Sequence, residues 1–209
     1  MPCNMDLNHY DTQLFYWINH HNNSVLDWAM WVASQPWSWA VVIVAASACL
    51  IVKQERRSWW WLLAGVALCF LLSDRISVLC FKDVFRRLRP CHALADVNMF
   101  RTSCGGLYGF VSSHAANVFA VALFFSLRAR QHKLSAPHAD RPIMRCFPCL
   151  MFLWAFLVGY SRPYLGKHYP GDVLCGALLG LAVGMAVFFL IQGVENWIDK
   201  TYIQKKSSL

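Results

Sequence analysis

Charge is what this sequence has least of. Asp, Glu, Lys and Arg make up 14% of its 209 residues, against about 25% in an ordinary soluble domain, which excludes a surface bathed in water on all sides. The stretch from Met1 to Asn23 has no apolar h-region and no small-residue cleavage site, so the first apolar helix is expected to direct insertion and to stay in place. Basic arms and an aromatic-basic platform are also missing, so the net charge of +8 does not read as a nucleic-acid surface. It fits anionic lipid headgroups and a phosphate substrate better. The nine Cys lack zinc spacing. Cys49, Cys69, Cys80 and Cys175 lie in apolar runs, where thiols act as packing residues. Cys146 and Cys149 form a CxxC outside any thioredoxin-like context. No internal repeat, low-complexity segment or soluble domain stands out.

What is present is apolar and aromatic. Hydrophobic residues make up 57% of the chain, and it holds ten Trp. Several of these (Trp28, Trp31, Trp37, Trp39 and the run Trp59 to Trp61) sit where apolar segments begin or end, as interfacial Trp do. The expected fold is all-α: a polytopic membrane helix bundle preceded by an interfacial amphipathic helix. Residues 1–34 form the N-terminal segment, with Leu7, Tyr10, Leu14, Trp17 and Ile18 on one helical face. Residues 35–194 form the membrane core, with five spans at roughly 35–52, 58–80, 114–130, 145–161 and 172–194. Residues 195–209 form a cytoplasmic tail. Positive charge in the loops sets the orientation. Lys53, Arg56 and Arg57, then Arg128, Arg130, Lys133, Arg141 and Arg145, then Lys200, Lys205 and Lys206 all fall on one side, expected to be the cytoplasm. Loops 81–113 and 162–171 then face outward.

Those two outward loops and the adjoining helix ends hold three polar motifs. They are Lys82 to Pro90 (KDVFRRLRP), Val111 to His114 (VSSH), and Ser161 to Asp172 (SRPYLGKHYPGD). A phosphoryl group needs its oxygens cradled by cations, and Lys82, Arg89 and Arg162 supply three. Hydroxyl and backbone N–H donors at a helix N-terminus add to the cradle, a role that suits Ser112 and Ser113. A histidine serves as nucleophile when a carboxylate holds its other ring nitrogen, and His168 lies four residues before Asp172. With Pro170 opening the last helix, Asp172 takes its third position and can reach back toward the turn. His114 can protonate the leaving oxygen. His168 with Asp172 would make half a metal site, but no complementary ligand cluster accompanies them. Asp74, Val78 and Lys82 follow at intervals of four, which places Asp74 below Lys82 on one face. Asp83, Arg86, Arg87, His92, Arg101 and Lys167 are candidates for the rim. Cys91 and Cys104 share one outward loop; they form either a disulfide or two reduced thiols.

Together the three motifs resemble the type 2 phosphatidic acid phosphatase family, whose pattern is Lys-x6-Arg-Pro, Pro-Ser-Gly-His and Ser-Arg-x5-His-x3-Asp. The first and third match at every specified position. In the second, Val111 stands for Pro and Ser113 for Gly. The resemblance implies a phosphohistidine on His168, oriented by Asp172, with His114 as acid. It implies a phosphate held by Lys82, Arg89, Ser112, Ser113, the His114 backbone N–H and Arg162. It also implies no metal and no cofactor. The expected activity is hydrolysis of a lipid phosphomonoester or diphosphate of the undecaprenyl diphosphate, phosphatidylglycerol phosphate, phosphatidic acid or lipid A type. The partners are that substrate and membrane lipids, not nucleic acid, and no oligomeric state is legible. The expected location is a bacterial inner membrane, with the site facing the periplasm or exterior. Two other classes use the same residue types: a non-catalytic lipid-phosphate binding or transport protein, and a vanadate-dependent haloperoxidase-like enzyme.

Overall fold

The computed structural model describes residues 7–51, 59–135 and 142–207. Lys53, Arg56, Arg57 and Arg141, four of the charges used for orientation, lie outside them. Among the described residues the chain is helix and loop, with a single antiparallel bridge between Leu88 and Tyr108. The helices are α1 (Leu7–His20), α2 (Ser24–Ser34), α3 (Pro36–Ile51), α4 (Trp59–Ile76), α5 (Asp83–Phe85), α6 (Pro90–Ala93), α7 (Ser113–Ser135), α8 (Pro142–Tyr164) and α9 (Pro170–Ser207). A π-helical turn, Ser77–Lys82, joins α4 to α5.

Among the described residues, three stretches are long and apolar enough to cross a membrane: Trp59–Phe85, Arg145–Tyr164 and Pro170–Thr201. The α2–α3 pair, bent by 66° at its break, meets the same measure only as one broken span. Against the five spans expected, three or four meet that measure among the described residues. The third expected span, 114–130, lies in α7, which falls below the measure and sits inside the bundle. Other helices enclose it: Val118, Ala120, Val121, Ala122, Phe124 and Phe125 are fully buried. A helix surrounded by protein need not be apolar on every side to satisfy lipid.

α7 is the hub, and glycine brings α9 against it. Gly176, Gly180 and Gly184 recur every four residues along α9. A Cβ on any of them would strike the α7 backbone, at the carbonyl oxygens of Ser112, Ala116 and Ala120. Small residues at this spacing let two helix backbones approach closely in a membrane. At the far end of the pair Arg128 is buried and forks onto Glu195, at 2.6 and 2.8 Å. Arg128 thus has a packing role and is not simply a loop charge that orients the chain.

The N-terminal segment departs from the single amphipathic helix expected. It breaks at residues 21–23, where the Asn23 side chain caps α2 by accepting from the N–H groups of Val25 and Leu26. Leu7, Tyr10, Leu14 and Trp17 form an exposed stripe, but Ile18 turns away from it and packs with Met30, Tyr164 and Leu165. Asn19 shows why α1 is docked on the bundle. It is fully buried, donates to the carbonyls of Asn98 (2.9 Å) and Tyr164 (2.8 Å), and accepts from the Asn98 N–H at 2.8 Å. At the other end of the chain, α9 continues through residue 195 as unbroken helix.

Candidate active site

The three motifs converge at one end of the bundle, and each is aimed by local structure. Lys82 closes the π-helical turn. The wider turn takes it out of the simple every-fourth-residue register with Asp74. Its Nζ donates to Ser113 Oγ at 2.6 Å, and Ser113 Oγ also meets Ser77 Oγ at 2.6 Å. Asp74 is exposed and makes no direct ion pair among the described residues, but its charge acts on Lys82 from a distance, while Ser113 holds the lysine directly.

Arg89 belongs to a loop tied in two ways. The Arg89 N–H donates to Leu107 O (3.2 Å) and the Gly109 N–H to Arg87 O (2.8 Å), so residues 87–89 run beside 107–109. Cys91 and Cys104 form a disulfide across the same loop. The Arg89 side chain then donates to Tyr108 O and Cys104 O. Gly109 is needed here: a Cβ on it would lie 3.1 Å from Arg89 Cγ and 3.2 Å from Asp172 Oδ2. Arg101, expected at the rim, instead lies over Trp28 with its guanidinium 4.8 Å from the ring centre.

Ser112 and Ser113 open α7. Both are buried; the Ser112 N–H donates to the Asp172 carbonyl at 3.0 Å. His114 follows, half-buried, with its ring edge-on to Trp39 at 4.9 Å. Arg162 lies in the last turn of α8 and is 1% exposed. One of its Nη atoms donates to Ser34 Oγ, while its Nε, buried, has no partner. Gly166, at φ 74°, ends α8 in the left-handed conformation that favours glycine. The turn it makes delivers Lys167 and His168.

His168 is 1% exposed. Its Nδ1 lies 3.7 Å from Asp172 Oδ2, an approach too long for a hydrogen bond, and Nδ1 has no other partner. Asp172, fully buried, accepts the Tyr169 N–H on Oδ2 at 3.0 Å, reaching back over the turn from the third helical position. Burial holds the His168 ring well below the usual histidine range, reinforced by Arg162, Arg89 and Lys82. The imidazole is therefore neutral at neutral pH, with a free electron pair. Burial, then Arg162 and Arg89, push the Lys167 ammonium down to about 8, and burial also lowers Arg89. This crowding of cations needs an anion between them.

Two residues outside the motif positions complete the arrangement. Arg87 donates from one Nη to Asp172 Oδ1 and from the other to Asp11 Oδ2, each at 2.7 Å. Arg87, expected at the rim, instead binds the buried Asp172, and Asp11, 76 residues away, had no signal at all. Neither Ser34 nor Ser77 was legible as a neighbour of the site. Among the described residues the one trio of metal-ligand types, Cys91, His92 and Cys104, has its two sulfurs bonded to each other.

The sequence profile of the PAP2 superfamily matches residues 58–195, the stretch that carries all of these motifs. The chain belongs to the PAP2 superfamily. It is a membrane lipid phosphatase of the PAP2 type and hence a phosphoric ester hydrolase. Among PAP2-type relatives, a lipid A 4'-phosphatase of Porphyromonas gingivalis is 29% identical over 85% of this chain and 71% of its own length. One of Bacteroides thetaiotaomicron is 29% identical over 86% of this chain and 76% of its own. The fold is similar to that of a transmembrane PAP2-type phosphatidylglycerolphosphate phosphatase of Bacillus subtilis, with a TM-score of 0.64 at 21% identity, covering 91% of this chain and 87% of that one.

Proposed function

We propose that the protein hydrolyses a phosphomonoester of the lipid A type at the outer leaflet, without metal, through a phosphohistidine on His168. The observation that carries this reading is the buried, neutral His168 set beside Asp172 and under the influence of Arg162, Arg89 and Lys82. Because Nδ1 faces Asp172, Nε2 is the attacking atom. Its electron pair forms the N–P bond as the bond from phosphorus to the lipid oxygen breaks. Burial and the neighbouring cations hold the His114 ring well below the usual histidine range, so it takes up a proton from solvent as the anionic phosphate binds and gives that proton to the leaving oxygen. Water then attacks the phosphorus, His114 takes a proton from it, and the N–P bond opens to release phosphate. The cations Lys82, Arg89 and Arg162, with Ser112, Ser113 and the His114 backbone N–H, offset the charge that builds on the phosphoryl oxygens. The two lipid A 4'-phosphatases support the choice of lipid, since each matches more than four-fifths of this chain. The Cys91–Cys104 disulfide supports an oxidising compartment, and so an active site outside the cytoplasm.

The test is phosphate release by purified protein from lipid A, phosphatidylglycerol phosphate, phosphatidic acid and undecaprenyl diphosphate, with excess chelator and with orthovanadate. Lipid A should be cleaved fastest, chelator should leave the rate unchanged and orthovanadate should inhibit. A faster rate on another lipid refutes the substrate assignment. Activity lost to EDTA and restored by a divalent ion refutes the metal-free mechanism.

A further inference from the structure

The described mechanism uses Asp172 but leaves unexplained what holds Asp172. A fully buried carboxylate needs partners, because burial of an unpaired charge costs several kcal/mol or more. His168 at 3.7 Å does not provide a hydrogen bond. Arg87 does: its guanidinium is shared between Asp172 and Asp11, one nitrogen to each at 2.7 Å. The planar fork fixes the relative placement of the two carboxylates in a way that a lysine could not. The Tyr169 ring lies beneath the guanidinium at 4.0 Å and restrains it further. Asp11 also reaches past Arg87. Its Oδ1 accepts the Gly171 N–H at 2.7 Å, so one side chain of α1 grips both Arg87 and the backbone next to Asp172.

We propose that Arg87 and Asp11 are positioning residues for the reaction: Asp11 holds Arg87, and Arg87 fixes the Asp172 carboxylate in the orientation it presents to His168. This rests on reading His168 as the nucleophile. Arg87 differs in kind from the phosphate-binding cations. Its terminal nitrogens serve Asp172 and Asp11, and the second also reaches Asn8 Oδ1 at 3.4 Å, so its fork is directed at protein groups, whereas Arg162 keeps a buried Nε without a partner. Its balance of charge agrees. Burial lowers the Arg87 pKa, but Asp172 and Asp11 outweigh that and leave it raised. The arrangement makes α1 part of the chemistry rather than a detached anchor, because the hold on Asp172 begins in the first helix.

The experiment measures kcat, KM and product inhibition by inorganic phosphate for the full-length wild type, Arg87→Met, Arg87→Lys, Asp11→Asn and the Arg87→Met/Asp11→Asn double variant. Loss of a group that orients a metal-bound histidine costs roughly 10–100-fold, and the same scale is expected for a group that orients the carboxylate beside His168. Arg87→Met should lower kcat by that much, with KM and the phosphate inhibition constant moving less than about threefold. Arg87→Lys should recover part of kcat. Asp11→Asn should lower kcat by less and add nothing in the Arg87→Met background, the signature of two residues acting through one path. Phosphate inhibition weakening in step with kcat would make Arg87 a phosphate ligand and overturn the proposal. Independent, multiplicative effects of the two substitutions would overturn it as well. If Arg87→Met does not fold, Arg87→Lys and Asp11→Asn decide: full wild-type kcat in both overturns it. A wild type that releases no phosphate from any lipid of the panel removes the proposed function, and this inference with it. A wild type that is active leaves the variants to judge the inference alone.

Discussion

His168 and His114 share an environment that disfavours charge, and their positions set what each substitution should do. Burial and the neighbouring cations hold both rings well below the usual histidine range; His168 is set beside Asp172, whereas His114 stands edge-on to Trp39. His168→Ala should abolish the covalent phosphoenzyme, seen as loss of acid-labile 32P on the protein. His114→Ala should slow turnover by roughly 10²–10⁴ if its task is to protonate the leaving oxygen. A nitrophenyl phosphate, whose leaving group needs little protonation, should partly restore His114→Ala and not His168→Ala; equal restoration would reverse the two roles. Lys167 gives a pH signature. Its pKa of about 8 means that it is charged below that pH and neutral above it. Inhibition by sulfate, which stays fully ionised, should therefore weaken as pH rises through 8. Lys167→Arg should flatten that dependence. The residues of the three motifs were legible because phosphoryl transfer demands cations, a nucleophile and an acid, and few other side chains qualify. Arg87 with Asp11 and Arg162 with Ser34 were not. Those pairs are 76 and 128 residues apart in sequence, and no local pattern announces a contact made only by tertiary folding.

At the scale of elements, the long apolar helices were readable by composition, and the exceptions share one cause. α7 was expected as a span from its apolar run; it falls below the measure of length and composition and is enclosed by other helices, so protein surrounds much of its length. α1 showed a stripe of apolar residues that remains largely exposed, while its inner face joins Phe15 and Ile18 to Asn19, a polar residue that hydropathy counts against burial. The π-helical turn had no sequence signal beyond the motif it serves. Contact between α7 and α9 depends on the absence of side chains, and this is testable. Gly180→Leu should destabilise the fold by about 1–3 kcal/mol through overpacking, or more if the helices must part. Gly193→Ala, where nothing lies within 4 Å of the added carbon, should be neutral or stabilising by up to about 1 kcal/mol. Thermal unfolding in detergent compares the two; equal effects would mean that the α7–α9 contact is not close-packed. The loop bearing Arg89 offers a second test. Replacing Cys91 and Cys104 by Ser should raise KM more than it lowers kcat, because the disulfide spans the loop that positions a phosphate cation.

For the molecule as a whole the decisive property is which face of the bilayer the site occupies. Arg130, Lys133, Arg141 and Arg145 in the 128–145 region have no catalytic motif to account for them and read as cytoplasmic charges. Arg162 and Lys167 lie inside a phosphate motif and need not follow that rule. In a variant keeping only the Cys91–Cys104 pair, single cysteines in place of Ala139 and Asp96 separate the two faces. An impermeant thiol reagent applied to intact cells should label position 96 and spare 139. The opposite pattern would put the site in the cytoplasm and remove the basis for an outer-leaflet substrate.

The 38 residues of α9 span about 57 Å at 1.5 Å per residue, nearly twice the ~30 Å of a hydrocarbon core. The two ends of the chain are therefore not interchangeable for anyone who wishes to handle this protein. A purification tag or fluorophore joined ahead of α1 sits beside the helix that grips Arg87, and its bulk or charge bears directly on the reactive end. One joined behind α9 is carried by a long stiff rod toward the opposite side. Immobilisation, pull-down and imaging should all be done from the rear.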